Sequence, residues 1–153
     1  MNTGQLESAW QDLLVDHSQF PRHHGRLEYS SHEAEGENPL CGDRVRLELD
    51  IDDGGHIRAA RFTATGCAIS LASASIMTDA IQGLRKEQAL ELFGQVHDML
   101  TTGQTDPGTG NADLDALRLV NRFPLRVKCA SLCWHALRQA IEGRPGLVTT
   151  ESH

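Results

Sequence analysis

Four cysteines lie in three short segments whose neighbours suit the presentation of a thiolate. Cys41 lies in the segment NPLCGD at 38–43, Cys67 follows a glycine, and Cys129 follows a lysine, with Cys133 four residues later. Three thiolates and one carboxylate can complete a tetrahedral metal site. A thiolate can also accept sulfur by exchange. The spacing therefore indicates metal or sulfur chemistry.

The first segment predicts a tight turn around Cys41. Pro39 and Gly42 flank the cysteine and favour an exposed turn. Cys41 and Asp43 are two residues apart, so a bent loop can direct both side chains toward one ion. The alternative is an ordinary turn that happens to carry a cysteine, and the segment alone leaves both open.

The second segment places Cys67 between Gly66 and the predicted start of a helix. Unpaired amide groups and the helix dipole at such a position favour an anion, so the thiolate form is stabilised there. The alternative is a small buried residue at a strand–helix junction, which is a common use of cysteine.

The third segment places Cys129 near a predicted helix start, with Arg126 and Lys128 just before it. Positive charge and a helix N-terminus both lower the pKa of a thiol, so we expect an activated thiolate here as well. Cys133 follows at i+4 on the same face. Its immediate neighbours are apolar, and this favours a core residue over a ligand.

Taken together, Cys41, Asp43, Cys67 and Cys129 form a set of three sulfurs and one carboxylate. This set suits tetrahedral zinc, and sulfur-rich ligation also suits iron–sulfur chemistry. No CxxC pair is present, which argues against a zinc ribbon or a thioredoxin-type redox motif. The eight histidines are scattered, and we expect surface or packing roles for them.

The elements that must position these residues follow from hydrophobic periodicity and turn residues. Residues 45–51 alternate between apolar and charged, which predicts a strand. A turn at 52–55 joins it to a return strand, so the pair should be antiparallel. Predicted helices cover 5–15, 68–82, 87–100, 114–120 and about 129–143, with a polar stretch at 30–37, a long loop at 101–111 and a flexible tail at 144–153. Small residues in the helix at 68–82 predict close approach of another backbone.

Composition narrows the class of protein. The chain has 14 basic and 21 acidic residues, and the net charge of −7 argues against nucleic-acid binding. No apolar run approaches the roughly 20 residues of a membrane span, and the N-terminus does not resemble a secretory signal. We therefore expect a cytoplasmic protein, where clustered cysteines bind metal more often than they form disulfides; two disulfides are the alternative for an oxidising compartment. The length predicts one domain over 1–153, with its core at about 5–143.

Three motifs resemble those of the U-type iron–sulfur cluster assembly proteins. They are NPLCGD at 38–43, GCAIS at 66–70 followed by ASASIM at 72–77, and RVKCA at 126–130. The resemblance covers about 5–143 and is closer to the SufU type than to the IscU type. Lys128 stands where the IscU type has a histidine before its last cysteine, and the proline-rich chaperone-docking segment upstream is missing.

The resemblance implies an α+β fold in which a small antiparallel sheet packs against several helices. It implies Cys41, Asp43, Cys67 and Cys129 as zinc ligands, and a SufS-like cysteine desulfurase as partner. In the SufU-type mechanism a desulfurase histidine displaces Cys41 from zinc, and Cys41 then takes the persulfide sulfur and passes it to a Suf scaffold or apoproteins. Two alternatives stay open: a scaffold for a transient iron–sulfur cluster, and zinc that only stabilises the fold.

Overall fold

The computed structural model describes residues 3–103, 108–144 and 146–149. Over these residues the chain forms five α-helices, one 3-10 segment and one four-stranded sheet. In chain order the elements are α1 (Thr3–Gln19), β1 (His32–Asn38), β2 (Asp43–Ile51), β3 (Ile57–Thr65), α2 (Ala68–Ile81), α3 (Lys86–Thr102), α4 (Ala112–Ala116), the 3-10 segment Leu117–Arg122, α5 (Pro124–Glu142) and β4 (Leu147–Thr149).

The sheet has the strand order β3-β2-β1-β4. The predicted hairpin is confirmed: β2 pairs antiparallel with β3, and Leu47 lies opposite Phe62 on the buried face. β1 also pairs antiparallel with β2, which sets Asn38 directly opposite Asp43 at the end of the ladder. The α+β architecture of a small sheet covered by helices is as expected.

Strand β1 was not predicted, because its inward residues are small or polar. Ala34, Gly36 and Asn38 alternate with outward glutamates, and this pattern lacks the large apolar residues that mark a strand. Packing against α5 explains why residue 36 is a glycine, since an added Cβ there would lie 2.9 Å from Leu132 Cδ1. The polar stretch at 30–37 is therefore mostly a strand whose small residues admit a helix.

Helices α2 and α5 approach each other closely, as the small residues of α2 predicted. The Ser73 hydroxyl donates to the Ala130 carbonyl at 2.6 Å and accepts the indole N–H of Trp134 at 3.1 Å. These bonds satisfy buried polar groups in the core. They fix α5, which carries Cys129, against α2, whose first turn follows Cys67.

The last helix begins earlier than predicted. It starts at Pro124 rather than near Cys129, because proline is favoured at the first helical position, where its missing N–H has no partner to lose. Residues 147–149 form β4, parallel to β1, although no strand was predicted in the tail. Of the predicted loop at 101–111, α3 takes the first two residues and 104–107 lie outside the described residues.

Among the described helices, none combines the length and the apolar composition needed to cross a membrane.

Candidate metal centre

Cys41 lies in an exposed turn between β1 and β2, as the sequence predicted. The backbone N–H of Cys41 donates to the Asn38 carbonyl at 3.2 Å, which closes a four-residue turn. Asparagine at the first position and Pro39 at the second are typical of such turns. Gly42 follows with a φ of 69°, a left-handed conformation that favours glycine. The turn therefore lifts the Cys41 thiol to the surface at the open end of the sheet.

Asp43 begins β2 and its side chain is fully buried on the helix side of the sheet. Its Oδ1 accepts the backbone N–H of Cys67 at 2.9 Å, and its Oδ2 accepts the side-chain N–H of Asn38 at 3.4 Å. A buried carboxylate without such partners would be costly. The two donors therefore fix the orientation of Asp43 and leave further lone pairs on each oxygen.

Gly66 provides the space that Asp43 occupies. A Cβ at Gly66 would lie 2.1 Å from Asp43 Oδ1, and the residue has a φ of 149°. No other residue type fits without displacing the carboxylate. Cys67 then caps α2 with extended backbone angles, so it lies at a helix start as predicted.

Cys129 is fully buried in the second turn of α5, and here the expected activation is wrong. Because the helix begins at Pro124, Cys129 is not at its N-terminus. Burial raises the pKa of the Cys129 thiol, and the bonds to Asp43 and Cys41, with the negative charge of Cys67, raise it further.

Three of the four predicted ligands form a compact group. One side-chain donor atom each from Cys41, Asp43 and Cys129 lies within 4.8 Å of the other two. The Cys67 thiol is not a member of this compact group, although its backbone binds Asp43 directly. The structure thus brings the three motif segments to one place, with Cys67 at its margin.

Arg126 supplies positive charge beside the sulfurs. Its hydrogen bond with Cys129 and the charges of Cys67 and Cys41 raise the pKa of the Arg126 guanidinium. Arginine therefore stays protonated here and favours thiolates nearby. From the sequence, Arg126 was expected only to add positive charge near the start of a helix. In the structure Arg126 lies inside α5 and interacts with the site cysteines directly.

The donor set fits a zinc ion. Two sulfurs bound to zinc at about 2.3 Å in a tetrahedron lie roughly 3.8 Å apart, and the donor atoms of the compact group all lie within 4.8 Å of one another. Sulfur and carboxylate are both established zinc donors. Two of the three donors are fully buried and one is exposed, so an ion bound here would remain open to attack from the surface.

Cys133 lies outside the compact group and behaves as a core residue, as predicted. Its side chain is 2% exposed, and its thiol donates to the Ser73 hydroxyl at 3.5 Å. Burial raises the pKa of Cys133 to about 12, so it remains a neutral thiol. His135 is also buried, against Phe93 and His97, away from the described donors.

The sequence motifs include Asn38 and Gly66, but the sequence predicted no role for Asn38. The position of Asn38 directly before a proline signals a turn. That the Asn38 side chain would turn inward, however, depends on the pairing of β1 with β2, which was not predicted.

Comparisons with protein families and with known proteins agree on one family for this chain. The model of the NifU-like N-terminal domain matches residues 9–146. The zinc-dependent sulfurtransferase SufU of Bacillus subtilis (strain 168) is 38% identical over 141 residues, which cover 92% of this chain and 95% of the relative. The iron-sulfur cluster assembly scaffold protein IscU of Streptococcus pyogenes serotype M1 is 38% identical over 145 residues, 93% of this chain and 88% of that protein.

A solved structure shares the fold. It is a putative iron-sulfur cluster assembly scaffold protein for the SUF system from Fervidobacterium islandicum AW-1, with a TM-score of 0.77 and 31% sequence identity. The match covers 92% of this chain and 99% of that one.

Proposed function

Because the chain belongs to the family of NifU-like N-terminal domains, we propose that it acts in iron–sulfur cluster assembly as a zinc-dependent sulfur acceptor. The observation that carries this proposal is the exposed thiol of Cys41 beside two buried donors. A zinc site that served the fold alone would enclose all its ligands. The similarity to the zinc-dependent sulfurtransferase SufU of Bacillus subtilis supports the same activity.

In this proposal Cys41, Asp43, Cys67 and Cys129 hold the metal. Cys67 is included because its backbone already binds Asp43 and its charge acts on Cys129. Bound zinc would supply the positive charge that keeps the buried Cys129 deprotonated. Arg126 adds a second, permanent positive charge at the same place.

Cys41 is the residue that takes sulfur, since its thiol alone among the three grouped donors is exposed. The Cys41 thiolate attacks the terminal sulfur of a cysteine persulfide on the partner enzyme. A new S–S bond forms at Cys41, the S–S bond of the partner breaks, and its electron pair leaves with the partner's thiolate. Cys41 then carries the persulfide, and no external oxidant or reductant is needed.

The surroundings of Cys41 suit contact with another protein. Leu40 is 72% exposed next to the cysteine, and Phe123 and Leu125 are exposed at the start of α5, where the Leu125 carbonyl accepts from Cys129. Exposed apolar side chains beside a reactive group are typical of a protein contact. We infer that a SufS-like cysteine desulfurase docks here and that sulfur passes on to a Suf scaffold or apoproteins. Thiols stay reduced only in a reducing compartment, so we propose that the protein acts in the cytoplasm.

A second candidate function is assembly of a transient iron–sulfur cluster on the same residues. Two observations favour it: the Streptococcus pyogenes relative is named a scaffold, and sulfur-rich donors also bind such clusters. Asp43 would then replace one thiolate and weaken the hold on the cluster, which eases release.

The two functions are separated by metal content and by desulfurase turnover. The chain would be purified in air, its zinc and iron counted, and its effect on the cysteine turnover of a desulfurase followed. Sulfur relay predicts tight zinc and strong stimulation that Cys41→Ala abolishes, whereas Cys133→Ala stimulates like the wild type. Little zinc, a bound cluster and no stimulation would favour the scaffold.

A further inference from the structure

Asn38 lies between the groups that form the proposed centre, and it contacts three of them. Its side-chain amide donates to Asp43 Oδ2 at 3.4 Å and to Cys129 Sγ at 3.5 Å. Its backbone carbonyl accepts the N–H of Cys41. These bonds join the sheet, α5 and the exposed turn at one residue.

The place of Asn38 in the fold explains why it reaches all three. It is the last residue of β1, directly opposite Asp43 in the ladder, so both side chains point to the helix side of the sheet. There α5 brings Cys129 against them. Asn38 is 1% exposed, so its amide is held among these groups rather than in water.

The three contacts are of two kinds. Asp43 and Cys129 are fully buried, and Asn38 binds each through its side chain. Cys41 is exposed, and the bond from Asn38 goes to its backbone, so Asn38 does not restrain the thiol. Asparagine can donate two N–H groups without carrying charge, so it can bind the carboxylate oxygen and the sulfur together without competing for a cation.

We propose that Asn38 is a positioning residue that holds Asp43 and Cys129 in place for the metal without restraining the Cys41 thiol. This inference rests on the proposed function insofar as the centre binds a metal. Hydrogen-bond donors behind metal ligands orient them, and their loss commonly weakens metal binding by about 10- to 100-fold. Donors to a bound sulfur also alter its electronic properties.

The first test compares Asn38→Ala with Asn121→Ala after loading with Co²⁺. Asn121 is a matched control, since its side-chain amide donates to the Leu100 carbonyl at 2.8 Å and not to a residue proposed to bind the metal. For Asn38→Ala we expect metal release to a chelator about 10- to 100-fold faster. We also expect the sulfur-to-cobalt charge-transfer band at longer wavelength, because the sulfur has lost an N–H donor. Asn121→Ala should match the wild type in both.

The second test needs no variant and decides the matter if Asn38→Ala does not fold. In the ¹⁵N-labelled wild-type chain loaded with ¹¹³Cd²⁺, the Asn38 side-chain amide should shift from its metal-free position and show coupling to cadmium through the Cys129 sulfur. Cadmium that binds without changing the Asn38 amide would overturn this inference alone. Failure of the chain to bind cadmium or cobalt would overturn the metal centre itself.

Discussion

Burial separates the roles of the cysteines, although all four are the same residue type. Cys41 is exposed in its turn, Cys67 is half-buried at a helix start, and Cys129 is fully buried. A thiol must reach the surface to meet a partner, whereas a metal ligand can remain inside. This difference is the reason why we propose sulfur transfer for Cys41 and metal retention for Cys129.

At the residue scale we predict that Cys133→Ala keeps the full zinc content of the wild type. The free energy of unfolding should fall by roughly 1–2 kcal/mol, because a small cavity replaces a buried sulfur. Metal analysis and urea unfolding measure the two effects. Cys129→Ala is the paired variant one helical turn earlier and should lose the metal. Loss of zinc from Cys133→Ala would show that Cys133 is a ligand.

The sequence was sufficient to predict the residues of the proposed site, but not the direction in which the pKa of Cys129 is shifted. Three motifs led to Cys41, Asp43 and Cys129, which the structure brings together. The pKa of Cys129 depends on burial of its side chain within the fold and on neighbours distant in the chain. The basic residues near Lys128 predicted a lowered pKa for Cys129. The sequence shows which charges are adjacent to a residue, but it does not show that the residue is buried.

At the element scale, the junction of β3 and α2 holds Asp43 in place through Gly66. We predict that Gly66→Ala weakens zinc binding by about 10-fold or more, because the new Cβ meets the Asp43 carboxylate. Competition with a zinc chelator measures the affinity.

Gly83→Ala is the matched control for this junction. Gly83 also has a positive φ, of 89°, but a Cβ there meets nothing within 4 Å. Both variants should lose roughly 1 kcal/mol of stability through backbone strain, and only Gly66→Ala should lose zinc affinity. Equal zinc affinities in the two variants would contradict the proposed role of Gly66.

The elements show where sequence patterns succeed and fail. The hairpin of β2 and β3 has large alternating apolar residues and was predicted correctly. α5 lies against the sheet at Gly36, so β1 needs a small residue there. A glycine at that position does not show the large apolar side chain by which a strand is recognised in a sequence. The last helix was predicted to begin near Cys129, but it begins at Pro124.

At the scale of the whole molecule, acid stability should depend on Glu48. Burial alone would raise the pKa of this carboxyl, but the Leu27 N–H and the guanidinium groups of Arg46 and Arg26 outweigh it and hold the pKa below its ordinary value. A lowered pKa contributes stability above the unfolded value of about 4.3 and loses it as the pH falls through the folded value. We therefore predict that Glu48→Gln costs about 1–3 kcal/mol at pH 7, and that this difference shrinks below about pH 4.

Urea unfolding at pH 7 and at pH 3.5 tests the sign of this effect. Glu35→Gln is the control, since Glu35 binds the same Arg46 at 2.7 Å but is exposed. Exposed ion pairs contribute about 0–1 kcal/mol. A cost for Glu48→Gln that stays constant between the two pH values would contradict the account.

The location of the transferred sulfur shows whether the molecule acts as a sulfur acceptor. The zinc-loaded chain would be incubated with a cysteine desulfurase and cysteine, and each cysteine-containing peptide examined by mass spectrometry. The account predicts one added sulfur atom on Cys41 and none on Cys67, Cys129 or Cys133. Active turnover by the desulfurase with no sulfur on Cys41, or with iron and sulfide retained by the chain instead, would contradict it.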